Sequence, residues 1–407
     1  MTNVRLEGKV KEIEREFTGI VEEMNDSPLK LDWEVWSKEL GDVKALYEEA
    51  VKKLVSLTGN SKFRPNATAD CEKWLKSQGA DLTRKTTGGK TALGKEVLRE
   101  HMGLKGVQEI LEARGLLAVL SQVKKWGENY GGKEELQPKW NQFGTPMGRL
   151  SCENPALQNR VAAVRKCVVA HPGKVFVSMD LSQIEYRVWA SLSKDPVLME
   201  MFNAGVDFHE EMGKTVGGCL PEVTDKRKLG KMVNFALLYR MSEGVLASTL
   251  RIPVEKAREV MQLYRGRAKV AELYVGKVIA LARDRGEVGT RFGRYREALG
   301  LREEENTKEW NEAVKTTWHH HNAGTAADFC KLVWNDTAKA LEEEGLREKV
   351  RFVMNIHDST VLEVDEEVAD KVAAVCSRMA NSKHGVEWLC EIRGDVTVGR
   401  SWGEVHS

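Results

Sequence analysis

The sequence lacks the segments that take a protein into or across a membrane. No apolar run approaches the ~20 residues that a membrane-spanning helix requires. The N-terminal segment is charged and rich in glutamate, whereas a secretory signal is apolar and a transit peptide contains few acidic residues. We therefore expect a cytoplasmic protein with no membrane partner.

Cysteine pairs with metal-ligand or redox spacing are also absent. The chain has seven cysteines, and no two of them have CxxC spacing, which argues against a zinc ribbon or a thiol–disulfide redox site. Isolated cysteines are typical of free thiols in a reducing compartment. They stand at Cys71, Cys152, Cys167, Cys219, Cys330, Cys376 and Cys390.

An excess of charge of either sign is missing as well. The 62 lysine and arginine residues nearly balance the 61 acidic residues, for a net charge of +1, so any nucleic-acid binding has to come from local clusters of basic residues. The composition is that of an ordinary globular protein, with 42% hydrophobic and 30% charged residues. At 407 residues the chain is long enough for a sizeable core and two or three domains.

The order of helix and strand patterns favours an α+β fold. Residues 1–130 have mostly helical patterns, and residues 131–190 contain an apolar, β-branched strand. Residues 191–268 are helical again, and residues 269–407 alternate helices with short strands. A strand core that is interrupted by a long helical insertion predicts an α+β fold rather than a doubly wound sheet.

Two aspartates stand at the ends of apolar, strand-like runs. VFVSMD ends at Asp180, and the runs RFVMNI and STVLEV flank His357-Asp358. An ionised carboxylate at the inner end of an apolar strand is costly unless it is paired or metal-bound, and carboxylates from adjacent strands can bridge the divalent cations of phosphoryl transfer. Asp358 taken alone has a second interpretation, since Asp is a common turn former between hairpin strands.

A helix-like segment carries two cations and two aromatic rings on one face. Arg227, Lys231, Phe235 and Tyr239 are spaced four residues apart, and residues at this spacing are neighbours on a helix. Cations near the start of a helix can meet a triphosphate, and the rings can lie under a sugar or base. The plain alternative is an amphipathic helix with a solvated basic end, although cations and aromatic rings usually face different surroundings.

Histidine gives a weaker signal. His209 in DFHEEMGK, considered alone, is read as a polar helix residue. The run His319-His320-His321 cannot converge on one metal ion, because consecutive helical residues point ~100° apart. We expect these three histidines to be partly exposed helix residues.

Taken together, these segments resemble the polymerase domain of a family A DNA polymerase, the polymerase I type. DLSQIEYR at 180–187 is similar to motif A of that family, the four-residue spacing on the predicted helix to motif B, and IHDS at 356–359 to motif C. Further similar segments follow in the family's order and extend the resemblance over essentially the whole chain: GRLSCENPALQN at 148–159, DFH at 207–209, TRFGR at 290–294, GTAAD at 324–328 and VTVGRSW at 396–402.

The resemblance implies a right-hand polymerase that carries out template-directed DNA synthesis. The helical thumb would be residues 1–130, the first part of the palm 131–190, the helical fingers 191–268, and the second part of the palm, with an antiparallel sheet, 269–407. The implied partners are primer–template DNA and deoxynucleoside triphosphates, with the protein acting as a monomer on nucleoid, phage or plasmid DNA. Because the thumb-like region starts almost at Met1, we expect neither a proofreading exonuclease nor a 5′ nuclease domain.

The same resemblance implies roles for residues of motifs A and C. Asp180 and Asp358 would hold two Mg²⁺ ions, for which Mn²⁺ can substitute, and Leu181 would offer its backbone carbonyl to one of them. Glu185 would act as the steric gate against a ribose 2′-hydroxyl. Gln183 would belong to the nucleotide-binding site.

For the incoming nucleotide and the DNA, the resemblance implies a second group of contacts. Arg227, Lys231 and His209 would hold the triphosphate, and Lys231 would also neutralise the charge that develops during catalysis. Phe235 would pack on the incoming sugar and base, and Tyr239 would guard the template-base position. Four residues would touch the primer–template near its terminus: Arg149, Gln158, Asn159 and His357.

Three positions depart from the family pattern. Ser359 stands where motif C usually has a second, less essential acid, and Arg240 follows Tyr239 where a glycine is usual. Ala323 stands where the family often has a glutamine that probes the minor groove. We expect activity to be retained, with altered metal affinity, an altered path for the template strand and one fewer check on base-pair shape.

Two other functions are open at this point. A single-subunit RNA polymerase shares the hand, although Glu185 argues against it. A non-catalytic primer–template-binding relative is suggested by Ser359 and Arg240, although both metal aspartates and the whole cationic helix face are retained. Sugar selectivity distinguishes the first alternative, and primer extension distinguishes the second.

Overall fold

The computed structural model describes residues 4–86, 89–221, 223–250 and 252–406. Within these ranges there are sixteen α-helices, α1 to α16 in chain order: Lys9–Asp26, Trp33–Thr58, Thr68–Ser77, Lys95–Glu100, Val107–Tyr130, Ala162–Arg165, Ile184–Ser193, Pro196–Ala204, Phe208–Val216, Lys226–Leu238, Glu243–Leu250, Val254–Arg267, Lys269–Arg285, Lys308–Glu343, Ala369–Ala380 and Trp402–Val405. The same ranges contain twelve strands, β1 to β12: Val4–Leu6, Leu29–Leu31, Glu135–Leu136, Lys139–Asn141, Ser151–Glu153, Val168–Val169, Lys174–Leu181, Glu287–Gly289, Arg294–Glu297, Val350–Ile356, Ser359–Asp365 and Gly394–Gly399.

A four-stranded antiparallel sheet lies in the largest apolar core that the described residues form. Its strand order is β10-β11-β7-β12, so that β7 pairs with β11 on one side and with β12 on the other. Phe176, Val177 and Met179 of β7 are fully buried, because α15 packs along β7 and β12 and α1 packs on β10. The apolar core that contains this sheet also takes in residues of α1, α5 and α14.

Two further apolar cores lie in helical parts of the chain. One is built mainly from α7 to α13 with the start of α14, and the other from α2 to α5. In the first of these, α8, α9 and α10 begin after Asp195, Asp207 and Asp225, whose side chains accept backbone N–H groups of the first turn. These caps satisfy donors that a helix start otherwise leaves open, and they fix where the helices carrying His209 and the motif B face begin.

The structure also describes the cysteines and the apolar character of the helices. All seven cysteines are free thiols; six are buried and Cys219 is half-buried. In the part of the chain that the structure describes, no helix is both long and apolar enough to cross a membrane.

Two details differ from the sequence-based expectations. The first 130 residues are mostly helical, but β1 pairs with β9, and β2 pairs with β3 and β6. These partner strands lie far along the chain, so a local pattern does not reveal the pairing. The expectation that all three consecutive histidines are partly exposed is wrong for His320, which is fully buried with Nε2 2.9 Å from the Arg294 carbonyl oxygen. The cause is that α14 runs through the interior rather than along the surface.

A cluster of buried charges ties α1 to β9 and α14. Arg294 forms ion pairs with Glu14 and with Asp328, whose Oδ1 lies 2.7 Å from the Arg294 Nη2. Lys331 Nζ lies 2.6 Å from the same Glu14, and all four side chains are buried. Gly148, with a φ of +83°, lies so close that a Cβ there would be 2.7 Å from the Arg294 guanidinium. The Arg294 guanidinium therefore packs directly against the loop between β4 and β5.

Replacing Arg294 with methionine is expected to lower the free energy of unfolding by about 3–5 kcal/mol, because the buried Asp328 loses its ion-pair partner and the buried Glu14 keeps only Lys331. Urea unfolding followed by circular dichroism measures the loss. The control is Arg5→Met on the adjacent strand β1, where Arg5 pairs with Glu287 at 2.7 Å but is half exposed. An exposed pair contributes little, so equal losses in the two variants would contradict a stabilising role for the buried cluster.

Candidate active site

One pocket gathers most of the residues that the sequence predicted for the site. It encloses about 590 Å³, within the range of roughly 300–1,000 Å³ that small-molecule sites occupy. Eleven of the fourteen predicted residues line it: Arg149, Asp180, Leu181, Gln183, Glu185, His209, Lys231, Phe235, Tyr239, His357 and Asp358.

The pairing register of the central sheet brings the two strand-end aspartates together. Asp180 is the last residue but one of β7, and Asp358 belongs to the turn between β10 and β11. Asp180 stands directly opposite Ser359, the first residue of β11. The Leu181 N–H donates to the Asp358 carbonyl at 3.0 Å, so the two carboxylates lie at the ends of neighbouring strands.

Each of these carboxylates has a raised pKa. Burial raises the pKa of Asp180 to about 6, and the charges of Asp358 and Asp395 add to the shift. Burial also raises the pKa of Asp358, while Arg149, whose Nη2 lies 3.8 Å from Asp358 Oδ1, opposes that shift. Two partly desolvated acids that repel each other form a site that a divalent cation stabilises.

The donors present suit Mg²⁺. Asp180 and Asp358 offer the oxygen ligands that Mg²⁺ prefers, and Leu181 lies in the same wall of the pocket. Among the residues that the structure describes, there is no group of three or more His, Cys, Asp or Glu side chains that could hold a metal ion. A cation here would complete its shell with backbone oxygens, water or substrate phosphates, as Mg²⁺ commonly does.

Two glycines let α9 and α10 approach backbone to backbone. A Cβ on Gly230 would lie 1.8 Å from the His209 carbonyl oxygen, and a Cβ on Gly213 would lie 1.8 Å from the Lys226 carbonyl oxygen. A larger residue at either position would force the helices apart. The close approach puts His209 next to α10, where Asn234 Nδ2 donates to His209 Nδ1 at 2.8 Å.

The face of α10 that borders the pocket carries a lysine and stacked rings. The rings of Phe235 and Tyr239 are parallel within 8°, with centroids 5.7 Å apart, and the His209 ring stacks on Phe235 at 6.1 Å. Burial lowers the pKa of His209 to about 4, so its imidazole is neutral at pH 7. Lys231 lines the pocket one turn before Phe235.

An acid and an arginine connect the start of α7 with the aspartates. Glu185 is 5% exposed and accepts a hydrogen bond from Arg149. Burial raises the pKa of Glu185, and the Arg149 charge opposes the shift. Gln183, which precedes α7 with a φ of +56°, and His357, with a φ of +58°, line the pocket nearby. Arg149 thus lies between Glu185 and Asp358.

Three predicted site residues lie outside the lining of this pocket. Arg227 is exposed at the first turn of α10, and its Nε lies 2.7 Å from Asp207 Oδ2. Gln158 and Asn159 belong to the short 3₁₀ helix that follows β5. The Gln158 side chain donates to the Leu150 carbonyl at 2.9 Å, whereas Asn159 is exposed.

Sequence reasoning did not find several further residues in or next to the site. The buried Tyr186 sets its ring edge-on against Phe235 at 6.1 Å, and His406, near the C-terminal end, lines the pocket. Asp395 on β12 stands opposite Asp180. The strand-like run around Asp395 is visible in the sequence, but its pairing partner is not, and no local pattern marks His406.

The three departures from the family pattern lie in different environments. Ser359 is fully buried, and its Oγ lies 3.1 Å from Ser178 Oγ. Ala323 is buried within α14. Arg240 follows α10 with a φ of +52° and pairs with Glu272 on α13. None of the three is among the described residues that line the pocket.

Comparison with known proteins gives consistent results. The family model "DNA polymerase family A" matches residues 35–404. The thermostable DNA polymerase I of Thermus aquaticus is 30% identical over 419 residues, which cover 98% of this chain and 49% of the relative. DNA polymerase I of Chloroflexus aurantiacus is 31% identical over 280 residues, which cover 66% of this chain and 29% of the relative. The chain thus spans about half the length of the Thermus relatives that it matches.

A solved structure shows the same fold. It is described as the POL domain of Pol1 from M. smegmatis in complex with DNA primer-template and dNTP, and it superposes with a TM-score of 0.82 at 24% sequence identity. The match covers 97% of this chain and 70% of that one. The predicted α+β fold of the polymerase hand is confirmed by this likeness. The family model matches residues 35–404, which are most of the chain. The chain therefore belongs to DNA polymerase family A.

Proposed function

We propose that the chain is a DNA-directed DNA polymerase, a nucleotidyltransferase that adds deoxynucleotides to a primer 3′-hydroxyl. The hydroxyl attacks the α-phosphorus of a bound triphosphate, and pyrophosphate leaves. The observation that carries the proposal is the pocket in which Asp180 and Asp358 meet Lys231 and Phe235 of α10 and Tyr239 at its C-terminal end. Carboxylates for cations, a lysine for phosphates and stacked rings for a base are the parts that this reaction requires.

We assign Asp180 and Asp358 to two Mg²⁺ ions, which Mn²⁺ can replace, with the Leu181 carbonyl as a further ligand. When bound, these ions supply Lewis-acid stabilisation for the charge on the attacking and leaving oxygens. The protein itself holds both carboxylates at the ends of neighbouring strands. The backbone hydrogen bond from the Leu181 N–H to the Asp358 carbonyl supports their spacing. Ser359 lies outside the lining of the pocket, and its hydroxyl is bonded to that of Ser178.

The triphosphate of the incoming nucleotide would bind along α10. Lys231 neutralises charge as it develops on the phosphates. His209 acts as a neutral donor, because Nδ1 accepts from Asn234 and the proton is left on Nε2. Arg227 is paired with Asp207 in the free protein, so it reaches the triphosphate by exchanging one acidic partner for another.

The base, the sugar and the DNA would be held by the remaining predicted residues. Phe235 packs on the incoming sugar and base, and Tyr239, stacked on it, closes the template-base position. Glu185, supported by Gln183 at the helix start, blocks a ribose 2′-hydroxyl. The primer–template near its terminus would contact four residues: Arg149, Gln158, Asn159 and His357.

The parts of the hand would follow the boundaries predicted from the sequence, except that β1 and α1 pack with β9, β10 and α14 of the palm. We propose residues 1–130 as the thumb, 191–268 as the fingers, and 131–190 with 269–407 as the palm, the whole acting as a monomer on cellular, phage or plasmid DNA. The separate apolar core of α2 to α5 supports the thumb, and the core that includes α8 to α12 supports the fingers.

Alanine at Asp180 or Asp358 is expected to slow primer extension by about 10³-fold or more, on the order of 4 kcal/mol of transition-state stabilisation. Each variant should also lose Mn²⁺ binding, which calorimetry measures without DNA and without turnover. The control is Asp365→Ala, because Asp365 lies at the far end of β11 and pairs with Lys174.

Substantial residual synthesis by the Asp180 or Asp358 variant, or intact cation binding, would overturn the metal assignment. Tight duplex binding by the unaltered chain, with no extension in either Mg²⁺ or Mn²⁺, would instead identify a non-catalytic relative.

Alanine at Glu185 is expected to reduce discrimination against ribonucleotides on the order of 10- to 200-fold, because the space for a 2′-hydroxyl opens. The loss also frees Arg149 to pair with Asp358, so both sugars should react more slowly, and only the ratio of kcat/KM values reports the gate. Glu185→Gln keeps the size of the side chain and should keep the selectivity. An unchanged ratio in the alanine variant would remove Glu185 from this role, and an unaltered chain that prefers ribonucleotides would indicate an RNA polymerase.

A further inference from the structure

The residue that follows the nucleotide-binding helix has an unusual backbone conformation. Tyr239 is the C-cap of α10, which ends at Leu238, and Arg240 comes next with a φ of +52°. This left-handed region is one that glycine adopts freely and that residues with a Cβ rarely adopt. An arginine at this position therefore requires a compensating interaction.

That interaction is an ion pair with α13. The Arg240 Nη1 donates to both carboxylate oxygens of Glu272, at 3.0 and 2.8 Å. Only 22% of the Arg240 side chain and 15% of the Glu272 side chain are exposed, so water and salt screen the pair less than they screen a surface pair. Arg265 Nε lies 3.7 Å from the same carboxylate, which places Glu272 between two arginines.

Two contacts from α14 hold the same end of α10. The Trp318 indole N–H donates to the Leu238 carbonyl at 2.9 Å, and the His319 ring meets Tyr239 edge-on, at a centroid distance of 4.9 Å and an angle of 89°. The opposite end of the helix carries the exposed Arg227. The last turn of α10 is thus anchored from α13 and α14, whereas its first turn packs on α9.

We propose that the Arg240–Glu272 ion pair is a positioning device that fixes the Tyr239 ring on Phe235 and thereby sets selectivity for the matched nucleotide. This inference rests on the proposed polymerase function. Because Arg240 neighbours Tyr239 in the chain, any freedom at residue 240 becomes freedom of the ring that closes the template-base position. A movable ring accepts mispaired geometries at a smaller penalty, since discrimination is a difference between two binding free energies.

The kinetic signature follows from what the pair does not touch. Lys231, Asp180 and Asp358 lie elsewhere in the pocket, so breaking the pair should leave kcat for the matched nucleotide within about twofold. The KM for that nucleotide should rise on the order of 10-fold, because the platform for the base must be ordered at each binding event. The kcat/KM ratio of matched to mismatched nucleotides should fall by a similar factor.

The experiment is a double-mutant cycle with Arg240→Met, Glu272→Gln and the double variant in single-nucleotide insertion. Since Arg240 and Glu272 act through one another, the double variant should be no worse than Glu272→Gln alone. Arg240→Lys keeps one charged donor and should restore part of the loss. The control is Arg258→Met, which breaks the Arg258–Glu243 pair at 2.9 Å on neighbouring helices without touching the end of α10.

A second measurement tests the same ion pair without nucleotides. Trp318 donates to the last turn of α10, so its fluorescence, isolated by comparison with a Trp318→Phe background, should change in the Arg240 and Glu272 variants and not in the Arg258 variant. Glu272→Gln keeps the shape of the side chain, so the test stands even where Arg240→Met folds poorly.

The outcomes separate this inference from the function on which it rests. Suppose that the unaltered chain extends primers. If the losses of the Arg240→Met and Glu272→Gln variants then add in the double variant, the positioning role is wrong and the polymerase proposal stands. The same holds if the KM and mismatch discrimination of these variants equal those of the Arg258→Met control. If the unaltered chain incorporates no nucleotide, both fail together. Non-additive losses confined to KM and discrimination, with partial rescue by lysine, support the proposal.

Discussion

The register between β7 and its two neighbours is the constraint on which the site depends. It sets Asp180 opposite Ser359 on one side and opposite Asp395 on the other. A slip of one residue would turn the Asp180 side chain to the other face of the sheet. The slip is opposed because β7 is buried through its middle and because the buried hydroxyls of Ser178 and Ser359 bond to each other only in this register.

Arg149 links the proposed sugar gate electrostatically to the proposed cation site, although Glu185 and Asp358 are far apart in the sequence. It hydrogen-bonds to Glu185, the proposed sugar gate, and its Nη2 lies 3.8 Å from Asp358, a proposed cation ligand. A divalent cation at Asp358 would weaken the attraction between that carboxylate and Arg149. Arg149 would then pair with Glu185 alone. The gate and the cation site therefore influence each other through a residue that belongs to neither, and the loop that carries Arg149 packs closely on the buried Arg294 at Gly148.

What could be predicted from the sequence was local. The ends of apolar runs marked Asp180 and Asp358, and a four-residue period marked the face of α10, because both patterns need only a few neighbouring residues. The pairing of Arg149 with Glu185 and the presence of His406 in the pocket depend on segments that meet only after folding. The burial of His320 was missed for the same reason, since a helical pattern does not say whether neighbouring elements cover every side of the helix. Placement in the pocket supports the proposed site roles, which stay predictions.

The serine at 359 suits a sheet end that already carries three acids. Burial and the charges of Asp358 and Asp395 raise the pKa of Asp180. A carboxylate at 359 would stand directly opposite Asp180 at a fully buried position, where desolvation costs several kcal/mol and where a further like charge would act on Asp180. A hydroxyl bonded to Ser178 avoids both costs. Position 359 therefore contributes to the stability of the sheet, and the proposed reaction depends on Asp180 and Asp358 alone for its carboxylate ligands.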